Sequence, residues 1–337
     1  MQSPAARSRV LVPALVLIGL VALPLAVSGF YLEFTTKVLV LAIFALSLEL
    51  LVGATGLVSL GHAAFLGIAA YATVLLSPKY DPASAFWLLP ATMGCAALYA
   101  LAVGALSLRT KGVYFIMVTL AFAQMAYYVF HDTALGGGTD GIYLNAKPSV
   151  IVAGVVLADV GRPLTLYYVV LVAAVLVFAF LAVLLESRFG RALAGIRSNE
   201  QRMRAAGFAT FRYKLAAFTL AGALAGLAGF LVAVKDGFVN PEMLSWHESG
   251  AVLLMLILGG MGRLSGAVLG AFVFALLQLF FQWDAVFGNF AKHWQLLMGA
   301  TIIACVAFMP DGLIGVPGQW RAWRHRRRGA QRKAAHG

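Results

Sequence analysis

Residues 37–71, KVLVLAIFALSLELLVGATGLVSLGHAAFLGIAAY, decide what kind of protein this is. Two apolar runs, 37–52 and 63–77, flank a segment rich in glycine and small polar groups. A membrane crossing needs roughly 20 mainly apolar residues. From Val38 to Tyr71 the only formally charged side chain is Glu49. A stretch so apolar reads as two membrane helices joined by a break, because glycine permits close helix approach and interruption. In the break lie Gly53, Gly56, Gly61, Ser59 and His62, with Gly67 beyond it. Polar groups at membrane depth face a bundle interior or a cavity.

The same pattern repeats along the chain. Further apolar runs lie at 10–30, 85–108, 113–130, 163–185, 214–234, 247–260, 264–283 and 291–309. The fold class expected is therefore all-α, a polytopic transmembrane bundle of about ten spans with broken, glycine-rich helices. Composition agrees: 62% of the 337 residues are hydrophobic and 11% charged, against about 25% charged in soluble domains. Cys95 and Cys305 both sit in apolar runs, which argues against a disulfide framework. Arg7 and Arg9 precede the first run, which reads as an uncleaved helix, with a signal peptide cleaved near Ser28 as the alternative.

Basic residues set a direction. With both termini cytoplasmic, 19 of the 25 Lys and Arg fall on inner segments, seven of them between Arg321 and Lys333. The net charge of +12 is then a topology signal, and nucleic acid is not expected as a partner. The domain reading is a permease domain over 1–315 and a basic cytoplasmic tail over 316–337. Within the first lie a periplasmic loop at 131–162 and a cytoplasmic loop at 186–214. The apolar segment 150–157 in the outer loop is too short to span and reads as packing on the membrane surface. The tail reads as a retention signal touching anionic headgroups, with a regulatory arm as the alternative.

A second glycine cluster, ILGGMGRLSGAVLGAF at 257–272, holds Gly259, Gly260 and Gly262 beside Arg263 and Ser265. Interrupted segments in both halves of a chain point to a transport path. Five spans per half would make such a repeat inverted. Gly56, Ser59, Gly61, His62, Gly259, Gly260 and Gly262 are thus path candidates, and tight helix packing explains them equally well. Ionisable groups in mid-membrane are confined to Glu49 and His62, too few for an ion-coupling relay. No GxxxxGK[ST] phosphate loop occurs, so energy comes from another chain or the protein is a passive channel. Histidines 62, 131, 247 and 293 are not spaced as metal ligands, so no metal, cofactor or catalytic residue is expected.

The cytoplasmic loop reads as a short amphipathic helix capped by Ser198, with Gln201 three residues on as in a capping box, and stopped at Gly207. Ile196, Met203 and Phe208 are apolar among arginines, which suits a docking knob or a helix lying on lipid.

The run SRFGRALAGIRSNEQRMRAAGFATFRYKLAAFTLAGALAGLAGFL closely resembles the coupling-loop region of branched-chain amino acid ABC transporter permeases of the LivM type. GLVSLGHAAFLGIAAY, LRTKGVYFIMVTLAFAQM, GGTDGI and LILGGMGRLSGAVLGA resemble that family's other hallmarks, in order, from about residue 40 to 315. The resemblance implies the membrane subunit of an importer in the bacterial inner membrane. Its implied partners are a second permease, two cytoplasmic ATPases that use the ATP, and a periplasmic binding protein. It implies that Asn199, Glu200, Gln201, Arg202, Met203 and Gly207 form the ATPase-coupling loop. The importer signature there is an EAA triplet followed by glycine, and aligning on Gly207 puts Gln201, Arg202 and Met203 at the triplet, a degenerate match. The implied cargo is an aliphatic amino acid moved by alternating access, its carboxylate favoured by half-helix N-termini. Urea or a short amide is the alternative within the family; a secondary transporter or a channel are alternatives outside it.

Overall fold

The computed structural model describes residues 15–25, 27–78, 82–152, 155–158, 160–309 and 312–315. The tail at 316–337 and the basic residues Arg7 and Arg9 lie outside them. The helices are α1 (Leu15–Leu25), α2 (Gly29–Thr55), α3 (His62–Leu76), α4 (Ala85–Ser107), α5 (Val113–Asp132) and α6 (Pro163–Glu186). Then come α7 (Arg188–Ser198), α8 (Glu200–Ala205), α9 (Thr210–Asp236), α10 (Trp246–Gly259), α11 (Leu264–Phe281), α12 (Asp284–Phe287) and α13 (Trp294–Phe308).

Ten of these are apolar and answer to the ten runs. Seven regions have the length and composition to cross a bilayer: α2, α4, α5, α6, α9, α11 and residues 291–315, which contain α13. The other three, α1, α3 and α10, are short apolar helices. α3 and α10 are short because the two glycine segments cut into them, one before α3 and one after α10.

α2 and α9 form the centre, with 83% and 78% of their apolar windows buried. Small residues let α9 serve as a hub. A Cβ at Gly222 or Gly226 would strike the Cβ of Ala100 or Ala96 on α4, and one at Gly229 would strike the Leu66 carbonyl on α3. Membrane helices without bulky residues at the contact approach until backbones touch, which maximises dispersion contact where no hydrophobic drive exists. Phe65, Phe115 and Phe218 fill the space beside this seam edge to face, with centroids 5.5 Å (Phe65–Phe218) and 6.1 Å (Phe115–Phe218) apart.

The two ends of the bundle differ. One carries α7, α8, Arg263 and both glycine turns, and is called the basic end here. The other carries short strands: β1 (Ile142–Tyr143) pairs antiparallel with β4 (Phe238–Val239). β2 (Val150–Val152) pairs antiparallel with β3 (Val155–Ala158), so the described residues of the short apolar segment are paired strands. β-branched valines suit a strand, and the run is too short to satisfy its own backbone as a membrane helix. Tyr71 ties α3 to this end, stacking on Phe130 at 4.2 Å and donating a hydrogen bond to the Gly136 carbonyl at 3.3 Å.

Candidate functional site

The two glycine clusters, about 200 residues apart in sequence, meet. Glu49, one turn before Gly53 on α2, accepts a hydrogen bond from the Gly262 backbone N–H at 2.7 Å through Oε1. The space a Cβ at Gly53 would occupy is taken by the Glu49 carboxylate and, at 3.3 Å, the Gly262 Cα. The C-terminal ends of α2 and α10 therefore lie side by side, and the two helices run the same way. An inverted repeat relating the two glycine segments would put them at opposite ends; the structure puts both at the basic end, so the expected inverted relation does not hold for them.

Ser59, Gly61, His62 and Gly259 are closely packed. Ser59 and His62 are fully buried. The Ser47 hydroxyl donates to the Phe44 carbonyl at 2.6 Å. It is therefore placed to accept from His62 Nε2, 2.8 Å away, and this assigns the tautomer with the proton on Nε2. The ring stacks on Phe44 at 5.4 Å, and its Nδ1 has no hydrogen-bond partner among the described residues. Gly61 abuts the Thr119 carbonyl of α5, and the Ser59 hydroxyl accepts from the Gly61 N–H at 3.2 Å. The first turn of α3 is held from across the bundle, where the Ser249 hydroxyl of α10 accepts from the Ala63 N–H at 2.9 Å. Gly259 touches Gly266 and Gly270 of α11 backbone to backbone. Gly260 is buried with φ 109°, while Gly56 and Gly262 are exposed at the basic end.

The cytoplasmic-loop residues build a fastened surface element. The loop comprises two helices, α7 and α8, rather than one. Ser198 ends α7, so the cap of α8 is Asn199, one residue later than the sequence suggests. Its side chain accepts from the Arg202 N–H at 2.9 Å. Gly207 does end the segment, with φ 87° and its N–H donating to the Arg204 carbonyl at 2.9 Å. Met203 turns inward, its Sδ 2.9 Å from where a Cβ at Gly195 would stand. Glu200 also turns inward. Its Oε1 accepts from Arg204 at 2.6 Å, Lys214 at 2.9 Å and the Thr210 hydroxyl at 3.1 Å. Burial alone raises the Glu200 carboxyl, but the hydrogen bonds from Lys214 and Arg204 and the Lys214 charge outweigh it and hold it at about 2. Of the six loop candidates, Asn199, Glu200, Met203 and Gly207 hold the loop together, while Gln201 and Arg202 face outward.

Arg197 was not singled out in the sequence, although its place four residues ahead of Gln201 in an amphipathic stretch was visible. Its guanidinium donates to the Gly53 carbonyl in the last turn of α2. Its Cγ lies 3.4 Å from where a Cβ at Gly56 would stand. Among the described residues, no group of three or more His, Cys, Asp and Glu could hold a metal ion.

Comparison with known proteins agrees with this architecture. The family model for the permease component of the branched-chain amino acid transport system matches residues 30–306. The chain is 31% identical to the high-affinity branched-chain amino acid transport system permease protein LivM of Salmonella typhimurium, over 87% of this chain and 72% of that one. The Escherichia coli K12 LivM protein matches with the same identity and coverage. A more distant match, 25% identical over 43% of this chain and 45% of the relative, is to the ribose import permease protein RbsC of E. coli K12. No solved structure matches. With a family model spanning most of its length and a glycine-broken helical bundle, the chain belongs to the branched-chain amino acid transport permease family and is a multi-pass inner-membrane protein.

Proposed function

We propose that the protein is the membrane subunit of an ATP-driven importer that moves branched-chain aliphatic amino acids by alternating access. In this reading it works with a second permease, two cytoplasmic ATPases and a periplasmic binding protein. It binds no nucleotide itself, and the basic end faces the cytoplasm. The observation that carries the reading is the fastening of α8. This short helix is exposed at the basic end, yet Glu200 ties it to Lys214 at the root of α9, the buried hub. A surface helix joined rigidly to a central span transmits force. A helix merely lying on lipid needs no such tie.

The docking face is then the outward side of the loop: Gln201, Arg202, Ala205, Ala206, Phe208 and Phe211, all exposed. Inward-facing Glu200 and Met203 position that face without touching the ATPase. The path is proposed to run beside the closed glycine segments, which re-pack when the ATPases close. The relatives named for branched-chain amino acids support the cargo, whereas the sugar permease matches less than half the chain. Nothing in the geometry favours urea, a secondary transporter or a channel.

The test is uptake of labelled leucine into proteoliposomes holding all subunits. Uptake is expected only with ATP and the binding protein. Uptake that follows an ion gradient without ATP, or conduction without nucleotide, would replace this reading with the secondary-transporter or channel one. A bulky residue at Gly207, where the backbone is left-handed, is expected to break ATPase docking; assembly and uptake unchanged in Gly207→Val would remove the docking assignment.

A further inference from the structure

We propose that Arg197 and Glu49 form the joint that carries movement of α7 and α8 to the turn between α10 and α11, a positioning role that rests on the importer reading above. Three elements converge at this point. Arg197 extends from α7 and donates to the Gly53 carbonyl, one of the last carbonyls of α2, which have no helical partner. It thereby places a cation at the negative end of the helix dipole. Glu49, one turn earlier on α2, receives the Gly262 N–H at 2.7 Å. Gly262 belongs to the turn Gly260–Arg263 that joins α10 to α11. A Cβ at Gly262 would lie 4.0 Å from the Arg197 guanidinium. The same arginine thus touches the end of α2 and reaches the turn that α2 holds through Glu49.

Two features separate this joint from ordinary packing. First, the second carboxylate oxygen of Glu49, Oε2, is buried with no hydrogen-bond partner among the described residues. The residue is only 3% exposed. An unsatisfied buried acceptor is costly. The Arg197 charge and the Arg263 backbone N–H both act on this carboxylate, so a small shift of α7 would bring the guanidinium a second acceptor beside the Gly53 carbonyl. Second, the arginine runs along bare backbone: a Cβ at Gly56 would stand 3.4 Å from the Arg197 Cγ and one at Gly262 4.0 Å from its guanidinium, both ordinary contact distances. At Gly53 a Cβ would collide with the carboxylate itself. A planar, five-donor guanidinium can hold one acceptor while engaging another, which a lysine ammonium does less well. Because the α10–α11 hairpin is packed backbone to backbone through Gly259, Gly266 and Gly270, displacement at its turn moves the hairpin as one piece.

The experiment has two arms. In the isolated, detergent-solubilised subunit, Glu49→Gln, Arg197→Gln and the double variant are compared by thermal unfolding. Glu49→Gln keeps an oxygen for the Gly262 N–H and is chosen to fold. The two substitutions are expected to be non-additive; strict additivity overturns the joint whatever the protein transports. In the complete importer in proteoliposomes, ATP hydrolysis and labelled leucine uptake are measured together. Each single variant is expected to lose about tenfold in leucine taken up per ATP hydrolysed, and the double variant no more than Arg197→Gln alone. Arg197→Lys is expected to fall between Arg197→Gln and wild type. Unchanged uptake per ATP in either single variant, or parallel loss of hydrolysis and uptake in both, overturns the proposal. ATP-driven uptake by wild type tests the importer reading separately, since the joint is judged on ratios of variant to wild type and on the isolated subunit.

Discussion

Glu200 shows how a residue's chemistry is redirected by its neighbours. In sequence it is an acid in a basic loop, suited to contact another protein. In the structure three donors from α8 and the root of α9 surround one of its oxygens. Its carboxyl, lowered from 4.5 to about 2, contributes stability that is fully present above pH 4.5 and is lost as pH falls toward 2. The melting temperature of the wild type is therefore expected to exceed that of Glu200→Gln by a constant margin near neutral pH. That margin should close on acidification through this window; one that ignores pH would show that the charge contributes nothing. The pair involves Lys214, itself buried, so the loss at neutral pH is about 2 kcal/mol, as for hydrogen bonds to charged groups. Glycines sort in the same way. Gly259 has the Gly266 carbonyl where its Cβ would go, whereas Gly94 on α4 has nothing within 4 Å. Gly259→Ala is expected to cost about 1–3 kcal/mol by forcing α10 from α11, and Gly94→Ala to be neutral or stabilising by about 0.5–1 kcal/mol. Thermal unfolding of both variants in the same detergent checks the contrast. The sequence sets Gly259 apart by its cluster but does not show its packing, because what differs is the backbone brought opposite each glycine.

At the scale of elements, the legible features were those a chain segment sets by itself. The ten apolar runs became ten apolar helices, and Gly207 ended its helix, as αL glycine does. The cap moved from Ser198 to Asn199 because α7 extends through Ser198, and a residue inside one helix cannot cap the next. Asn199→Ala is expected to destabilise α8 by about 1 kcal/mol and to raise amide exchange in α8 while leaving α6 unchanged; equal protection in both would refute the cap. α5 is one of the candidate spans the sequence leads one to expect, and its two faces differ. Phe115, Thr119, Ala123 and Ala126 are buried, at helical spacing, while Tyr114, Met117, Met125 and Tyr128 are exposed on the other side. Gln124 borders a groove on that outer side with Met125, Tyr128 and Val129. A mid-span amide facing lipid is unfavourable, so, in the importer proposed above, the exposed face of α5 is expected to meet the second permease. Cysteines at Met117 and Met125 should cross-link to that partner in assembled complexes, and cross-linking from α6 positions such as Val172 but not from α5 would reverse the assignment.

Over the whole molecule, composition and run length settle the class of fold, because a bilayer accepts only helices or closed barrels and runs this long and apolar form helices. The bias of basic residues along the chain supplies a direction for the same local reason. The resemblance in the coupling loop and the glycine segments reached the family, since these motifs lie within short stretches. Burial order was not legible. α6 is the most apolar of the long spans by composition, yet only 28% of its window is buried, whereas α2 is 83% buried. In lipid an apolar side chain is equally at home facing the tails or the core, so hydrophobicity ranks spans against water and not against one another. Nor could the sequence show that two glycine segments in opposite halves form one contact, or that Arg197 reaches both. Membership of the membrane and of the family followed from residues near one another in the chain. The position of the centre, the closure of the glycine segments and the joint at Glu49 followed from backbones that approach only when remote helices pack, and no local pattern encodes that distance.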